Sequence, residues 1–264
     1  RLSGPFGDEY IVGSYISKFI FISSIYLVFK NKKNITLIYI LFLVVTVILT
    51  KERMASFMIV ASSITFIFFS TLLKLKKKIL AFIFFLLTIA ALLSFNESVR
   101  KHFIFHTFDQ IGITQNEIVK NETDHYNFWD SQWGAHFLTA YGIFLNNPVM
   151  GTGVKSFRYE CKKKEYEKVK SAEYKTRCST HPHNFYLEIL SETGILIFFP
   201  FVILNLIITF KLISSYFRQS KDKNLTLLAF CSFAVMFFPI QSTGSFFSTW
   251  NGLFYWLIYS FTLY

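Results

Sequence analysis

The sequence predicts an all-α integral membrane fold, a polytopic helical bundle of about seven transmembrane helices with one large, partly helical loop. Three observations carry this. Hydrophobic residues make up 53% of the 264-residue chain and aromatic residues 20%, more apolar surface than a soluble domain of this length can cover. The apolar residues come in long runs rather than alternating with polar ones. The excess of positive charge falls on alternate connections between those runs.

The runs lie at about Ile11–Phe29, Ile35–Thr50, Met54–Leu73, Ile79–Phe95, Ile195–Ser215, Leu225–Ile240 and Phe246–Tyr264. Most are near the length a tilted bilayer helix needs, and two are short. The chain divides accordingly into four helices in 1–95, a large loop over 96–186 and three helices in 187–264. It opens on Arg1 with no signal peptide, and so reads as the C-terminal part of a longer protein. No internal repeat or low-complexity linker interrupts it.

Net charge is +11, which in a soluble protein would suggest nucleic acid. Its distribution argues against that partner. Lys30, Lys32 and Lys33 follow the first run; Lys74, Lys76, Lys77 and Lys78 follow the third; Lys211, Arg218, Lys221 and Lys223 follow the fifth. Beside those eleven cations stands one acid, Asp222, whereas the other extramembrane segments hold 15 Lys/Arg against 15 Asp/Glu. This is the positive-inside pattern. It puts the N-terminal segment, the Lys51–Arg53 turn, the large loop and the Gln241–Thr249 turn on the outer face. The leftover cation, Lys18, lies inside the first run and should face the bundle interior or a wet cavity, unless that span starts later and Lys18 snorkels.

Candidate chemistry gathers on that outer face. In His181-Pro182-His183-Asn184, Pro182 favours an extended approach and Asn184 can cap the helix that continues into the fifth span. His183 then sits at the mouth of a helix, where a neutral imidazole can take a proton from a sugar hydroxyl. A capping or interfacial role suits it as well. Two His at i, i+2 without a clear third ligand do not make a metal site. Arg53, in the short turn Thr50-Lys51-Glu52-Arg53, is either a fork for phosphate or an interface anchor. Arg1, in a turn-rich segment before the first span, is a basic group or a solvated arm.

The segment Asn147-Pro148-Val149-Met150-Gly151-Thr152-Gly153 reads as a tight glycine turn. Its amides can meet an anion, or it is a structural turn alone; it is not a Walker loop. The Lys- and Glu-crowded stretch 162–177 reads as a solvated helix or excursion. Cys161 and Cys178 flank it, as a disulfide if the loop faces an oxidising compartment or else as two free thiols. Cys231, inside a run, reads as a small buried apolar residue.

In their order, these pieces resemble the C-terminal half of the O-antigen ligase and O-antigen polymerase superfamily. The resemblance rests on Arg1-Leu-Ser-Gly-Pro-Phe-Gly-Asp-Glu9, Thr50-Lys-Glu-Arg-Met-Ala-Ser56, Asn147-Pro-Val-Met-Gly-Thr-Gly153 and His183-Asn-Phe-Tyr-Leu-Glu-Ile-Leu-Ser-Glu-Thr-Gly194. It implies a metal-independent, cofactor-free glycosyltransferase in the bacterial inner membrane, with the 96–186 loop in the periplasm. The donor would be a glycan on undecaprenyl diphosphate; the acceptor would be lipid A–core, a growing polysaccharide or a protein. The resemblance makes His183 the base or positioning group for the acceptor hydroxyl, with Asn184 beside it, and Arg53 a diphosphate ligand; Arg1 matches a recurrent basic position. The chain departs from the pattern at Trp133, where many members carry a second Arg. Arg158 and His136 are the nearest substitutes, for phosphate binding and for positioning.

Two other classes compete. A flippase of lipid-linked sugars would need more charge within its spans than Lys18. A non-catalytic assembly protein would give His183 and Arg53 no special role. The charge alternation generates a first test. Cysteine labels at positions 76 and 221 should react only from the cytoplasm and one at 122 only from outside. Labelling of position 76 from outside would overturn the arrangement.

Overall fold

The computed structural model describes residues 7, 10–110, 128–169, 177–218 and 222–263; Arg1 and Lys221 lie outside them. Among the described residues the fold is helical, without a strand. Four helices come first: α1 (Val12–Phe29), α2 (Lys33–Leu49), α3 (Arg53–Phe69) and α4 (Leu75–Phe95). The large loop carries α5 (Glu97–Arg100), a π-helical turn at Lys101–Phe105, α6 (His106–Gln110), α7 (Gln132–Asn146) and α8 (Phe157–Glu160). Then come α9 (Phe185–Phe217), α10 (Lys223–Phe237) and α11 (Thr249–Leu263). Three of these, α1, α4 and α9, are long and apolar enough to cross a membrane, and α2, α3 and α10 are shorter apolar helices.

Each sequence-predicted run falls on a helix, with shifted ends. The largest shift is at α9, which starts at Phe185 rather than near Ile195, because the polar stretch after Asn184 is itself helical. In 162–177, expected as a solvated helix or excursion, the described part carries a short 3-10 turn at Lys164–Tyr166 whose Tyr166 is buried; residues 170–176 lie outside the described ones.

The chain forms two compact units. One comprises the residues up to Phe103 with 206–238 and the end of α11. Here α1 packs on α2, α3 and α10, and α10 also packs on α3. Ile20, Val44, Val47, Ile59, Phe66 and Leu228 are fully buried at its centre. Small residues line the contacts: Gly13, Ser17 and Ser24 on α1, and Ala55, Ser56, Ser62 and Ser63 on α3. Small side chains let backbones approach where lipid supplies no hydrophobic drive between helices. Ser24 Oγ returns its proton to the Ile20 carbonyl at 2.6 Å, and the Cys231 thiol, fully buried, reaches the Ser62 carbonyl at 3.4 Å. By contrast α4 fully buries only Phe85, and Leu80, Phe84, Leu86, Leu87 and Phe95 are exposed, as suits a helix solvated by hydrocarbon on one side.

The start of α1 is held by Glu52. After Lys51 turns the chain with φ 64°, the Glu52 carboxylate accepts from Gly13 N at 2.5 Å, Ser14 N at 2.8 Å and Ser14 Oγ at 2.5 Å. A carboxylate thus satisfies first-turn amides at the positive end of a helix. Glu52 is also the charge acting on Lys18, one turn further along α1. The approach requires glycine: a Cβ on Gly13 would lie 2.3 Å from Thr50 Oγ1. We expect Glu52→Ala to cost about 1–3 kcal/mol, the scale of stranded buried donors. Gly13→Ala should also lower the Tm of the detergent-purified protein. Wild-type melting in both variants would show that the clamp contributes nothing.

Candidate functional site

The second unit comprises Ile104–Asn205 and Pro239–Tyr255. Its organising feature is a break in α9 at Gly194, where φ is 63° and ψ −171°. The amides of Ile195 and Leu196 leave the helical ladder and donate to the Pro148 and Val149 carbonyls at 2.9 and 3.2 Å. In return, Thr152 N and Gly153 N donate to the Ser191 and Glu192 carbonyls at 3.3 and 2.8 Å. The two segments meet too closely for side chains. A Cβ on Gly194 would sit 2.3 Å from Val149 O, and one on Gly151 would sit 2.3 Å from the Glu192 carbonyl carbon.

Past the turn, Glu192 Oε2 accepts from Lys155 N at 2.5 Å and Oε1 from Phe157 N at 3.0 Å. The glycine turn therefore does meet an anion, and the anion is this chain's own side chain. Of the two readings the sequence allows, a loop for a substrate anion or a structural turn, the structure takes the second at these amides, because Glu192 already fills them.

One helical turn before Glu192, Glu188 does the same for the turn that precedes α11. Its carboxylate accepts from Ser245 Oγ at 2.5 Å and Phe246 N at 2.6 Å. Asn184 caps α9, with Oδ1 accepting from Leu187 N at 3.0 Å and Nδ2 donating to the Pro239 and Gln241 carbonyls at 2.8 and 3.2 Å. Thr243 completes the seam: its Oγ1 accepts from Phe185 N, and its N donates to the His183 carbonyl at 2.8 Å.

These bonds hold His183 with φ 57°, left-handed backbone that costs a non-glycine residue about 1 kcal/mol. Around its ring stand three others. His181 lies at 4.3 Å between centroids, Trp133 at 5.0 Å edge-on and His136 at 5.1 Å, stacked within 24°. His181 is fixed as a tautomer: Nε2 lies 3.2 Å from the Thr243 carbonyl, which can only accept, so Nδ1 at 2.9 Å accepts from Thr180 Oγ1. His183 Nε2 pairs with Ser179 Oγ at 3.0 Å. Among the described residues nothing hydrogen-bonds its Nδ1.

Burial, reinforced by the neighbouring imidazoles, pulls His183 down to about 3 and His136 to about 4, and burial lowers His181 as well. All three are neutral at pH 7. Among the described residues no group of three or more His, Cys, Asp or Glu is arranged to hold a metal ion.

Arg158 belongs to the same cluster. Its charge acts on His181, Glu188 and Glu192, and its buried Nε has no hydrogen-bond partner among the described residues. It is carried on α8, which Phe157 and Cys161, both fully buried, anchor beside Ala140 and Ile143 of α7. Cys161 is bonded to Cys178, with a Cα–Cα distance of 5.4 Å, and Arg177 donates to the Cys161 and Lys163 carbonyls at 2.9 and 3.0 Å.

The structure thus brings together four sequence candidates, His136, Arg158, His183 and Asn184, and adds His181 and Trp133. Arg53, the first residue of α3, belongs to the other unit. Sequence reasoning missed Glu188, Glu192 and Thr243. The signal for the two acids was present, since carboxylates spaced i, i+4 on an apolar helix need partners.

Residues 38–202, more than half of the chain, match the family model described as O-Antigen ligase (Wzy_C). The chain belongs to the O-antigen ligase family. No curated protein and no solved structure matches it. Membership makes it a glycosyl-transferring membrane protein of lipopolysaccharide biosynthesis. The interlocked glycine turn, the histidine cluster and Glu192 all fall inside the matched stretch.

For an O-antigen ligase family site built on neutral imidazoles, acid should be destabilising. The unfolded chain binds protons at the ordinary histidine value of about 6.5, while the folded His183 and His136 refuse them until about 3 and 4. Stability is therefore complete above pH 6.5 and falls as the pH drops from there. At pH 5 the loss should be on the order of 2 kcal/mol per histidine. The check is a difference: the fall in Tm from pH 7.5 to pH 5 should be smaller in His136→Phe than in the wild type, and an equal fall in both would contradict the neutral, buried cluster.

Proposed function

We propose that this chain is a periplasm-facing glycosyltransferase that moves a glycan from undecaprenyl diphosphate to a hydroxyl acceptor without a metal. Its seven apolar helices span the bacterial inner membrane, with the 96–186 loop outside. The acceptor is lipid A–core, a polysaccharide or a protein. The observation that carries the proposal is the state of His183. Its ring is positioned by Ser179 at Nε2, and no described residue hydrogen-bonds Nδ1, which is left for a substrate hydroxyl.

The acceptor hydroxyl gives its proton to Nδ1 as its oxygen bonds to the donor's anomeric carbon. The bond from that carbon to the diphosphate oxygen breaks, and the electron pair leaves with the phosphate. The leaving group gains negative charge, which Arg158 stabilises with planar donors near low-dielectric lipid; for Arg53 the same role rests on the family resemblance alone. The proton on His183 then passes to the departing diphosphate or to solvent. Arg1 is a further candidate ligand of the diphosphate.

A flippase would place charged groups along its spans, and Lys18 is already engaged electrostatically by Glu52. That pairing favours the enzyme reading.

The roles predict different kinetics. His183→Ala should lower turnover about 10²–10⁴-fold with near-normal donor binding. Arg53→Ala should weaken donor binding and turnover together, and Arg53→Lys should still impair, since it loses the fork. Transfer should survive EDTA. Near-normal transfer by folded, inserted His183→Ala would remove His183 from the chemistry.

A further inference from the structure

Beneath His183 lies a group that the proposed chemistry does not use. His136, on α7, is completely buried, and neither of its ring nitrogens has a hydrogen-bond partner among the described residues. A neutral imidazole carries one donor and one acceptor, and each is costly to leave unmet in the interior. The other buried polar groups of α7 and its cap are satisfied. Thr139 donates to the Ala135 carbonyl at 2.7 Å, and the cap residue Ser131 accepts from Gly134 N at 3.1 Å. A phenylalanine could stack on His183 equally well without stranded nitrogens. The polar atoms of His136 therefore serve something other than the residues packed around them.

The surroundings indicate its class. The His136 ring lies flat against His183 and edge-on to Trp133 at 6.5 Å, so aromatic rings and uncharged hydrogen-bonding edges converge. Being neutral, His136 offers no cation to a phosphate, which Arg158 in the same unit serves better. Aromatic surface with neutral donors and acceptors suits the C–H faces and hydroxyls of a sugar ring.

We propose that His136 is a second hydroxyl-binding group of the site, holding an acceptor-sugar hydroxyl next to the one that His183 deprotonates. The rings stack with 5.1 Å between centroids, so groups bonded to their two edges would be neighbours, as hydroxyls on adjacent sugar carbons are. The proposal rests on the reading of His183 as the acceptor-side group.

The test uses the purified full chain with a glycan on undecaprenyl diphosphate as donor and core oligosaccharide, released from lipopolysaccharide, as acceptor. His136→Phe should melt at or above the wild-type Tm, because it removes the stranded nitrogens. Its acceptor KM should rise at least tenfold while kcat changes only a few-fold. His136→Asn, which keeps a donor and an acceptor, should fall between. Core oligosaccharide should raise the Tm of the wild type but not of His136→Phe.

A wild-type acceptor KM in His136→Phe, an equal Tm shift in both proteins or in neither, or a lowered Tm in His136→Phe would each overturn the proposal. A parallel His183→Ala sample separates the two readings. Retained turnover there defeats the role of His183, whereas its Tm shift with oligosaccharide still reports on His136.

Discussion

Two amides released where α9 breaks at Gly194 must find acceptors within the protein, because neither lipid nor a helical ladder supplies them. The Pro148 and Val149 carbonyls do so, and the rest of the second unit follows from that exchange. It fixes the glycine turn against α9, and Glu192 then captures the amides just beyond the turn. Those amides lead directly into α8 and so set where Arg158 can stand. Glycine is demanded at 151 and 194 both by the contact distance and by left-handed backbone, φ 66° and 63°.

The same helix arranges the opposite side. Asn184, Glu188 and Thr243 bind the segment before α11 to the start of α9, leaving the strained His183 little freedom. The two carboxylates are spent on backbone amides and a hydroxyl rather than on orienting the imidazoles. The histidine cluster is neutral because it is buried, and Arg158 stands beside it with its Nε unpartnered among the described residues.

Much of the fold was legible because apolar runs and lysine placement obey a solvent, the bilayer, that tolerates few exceptions. Helix ends were less so. Phe185–Thr193 lies outside the apolar run, and only Asn184 as a cap announced that the helix starts there; tertiary bonds from Asn184, Glu188 and Glu192 hold it. His183 and the glycine turn were visible as motifs, but their mutual locking was not, because it depends on backbone carbonyls that no side-chain pattern announces. Likewise, His136 was a candidate only through the family resemblance, with nothing in its own helix to mark it. Only its stacking on His183 and its stranded nitrogens distinguish it, and both are properties of packing.

The outward face of α4 carries a different lesson. Apart from Phe85 and the half-buried Phe82, Ile89, Leu92 and Leu93 that pack on the core, the positions of that helix answer to length and greasiness rather than to shape. Leucine, isoleucine and phenylalanine can trade places there at little cost, so identity erodes while the hydropathy profile persists. In the Gly151–Gly194 contact a single added methyl is too much. One chain thus holds two evolutionary clocks, a fast one along α4 and a slow one at the glycine lock, and relatives would be traced by the second long after the first had drifted beyond recognition.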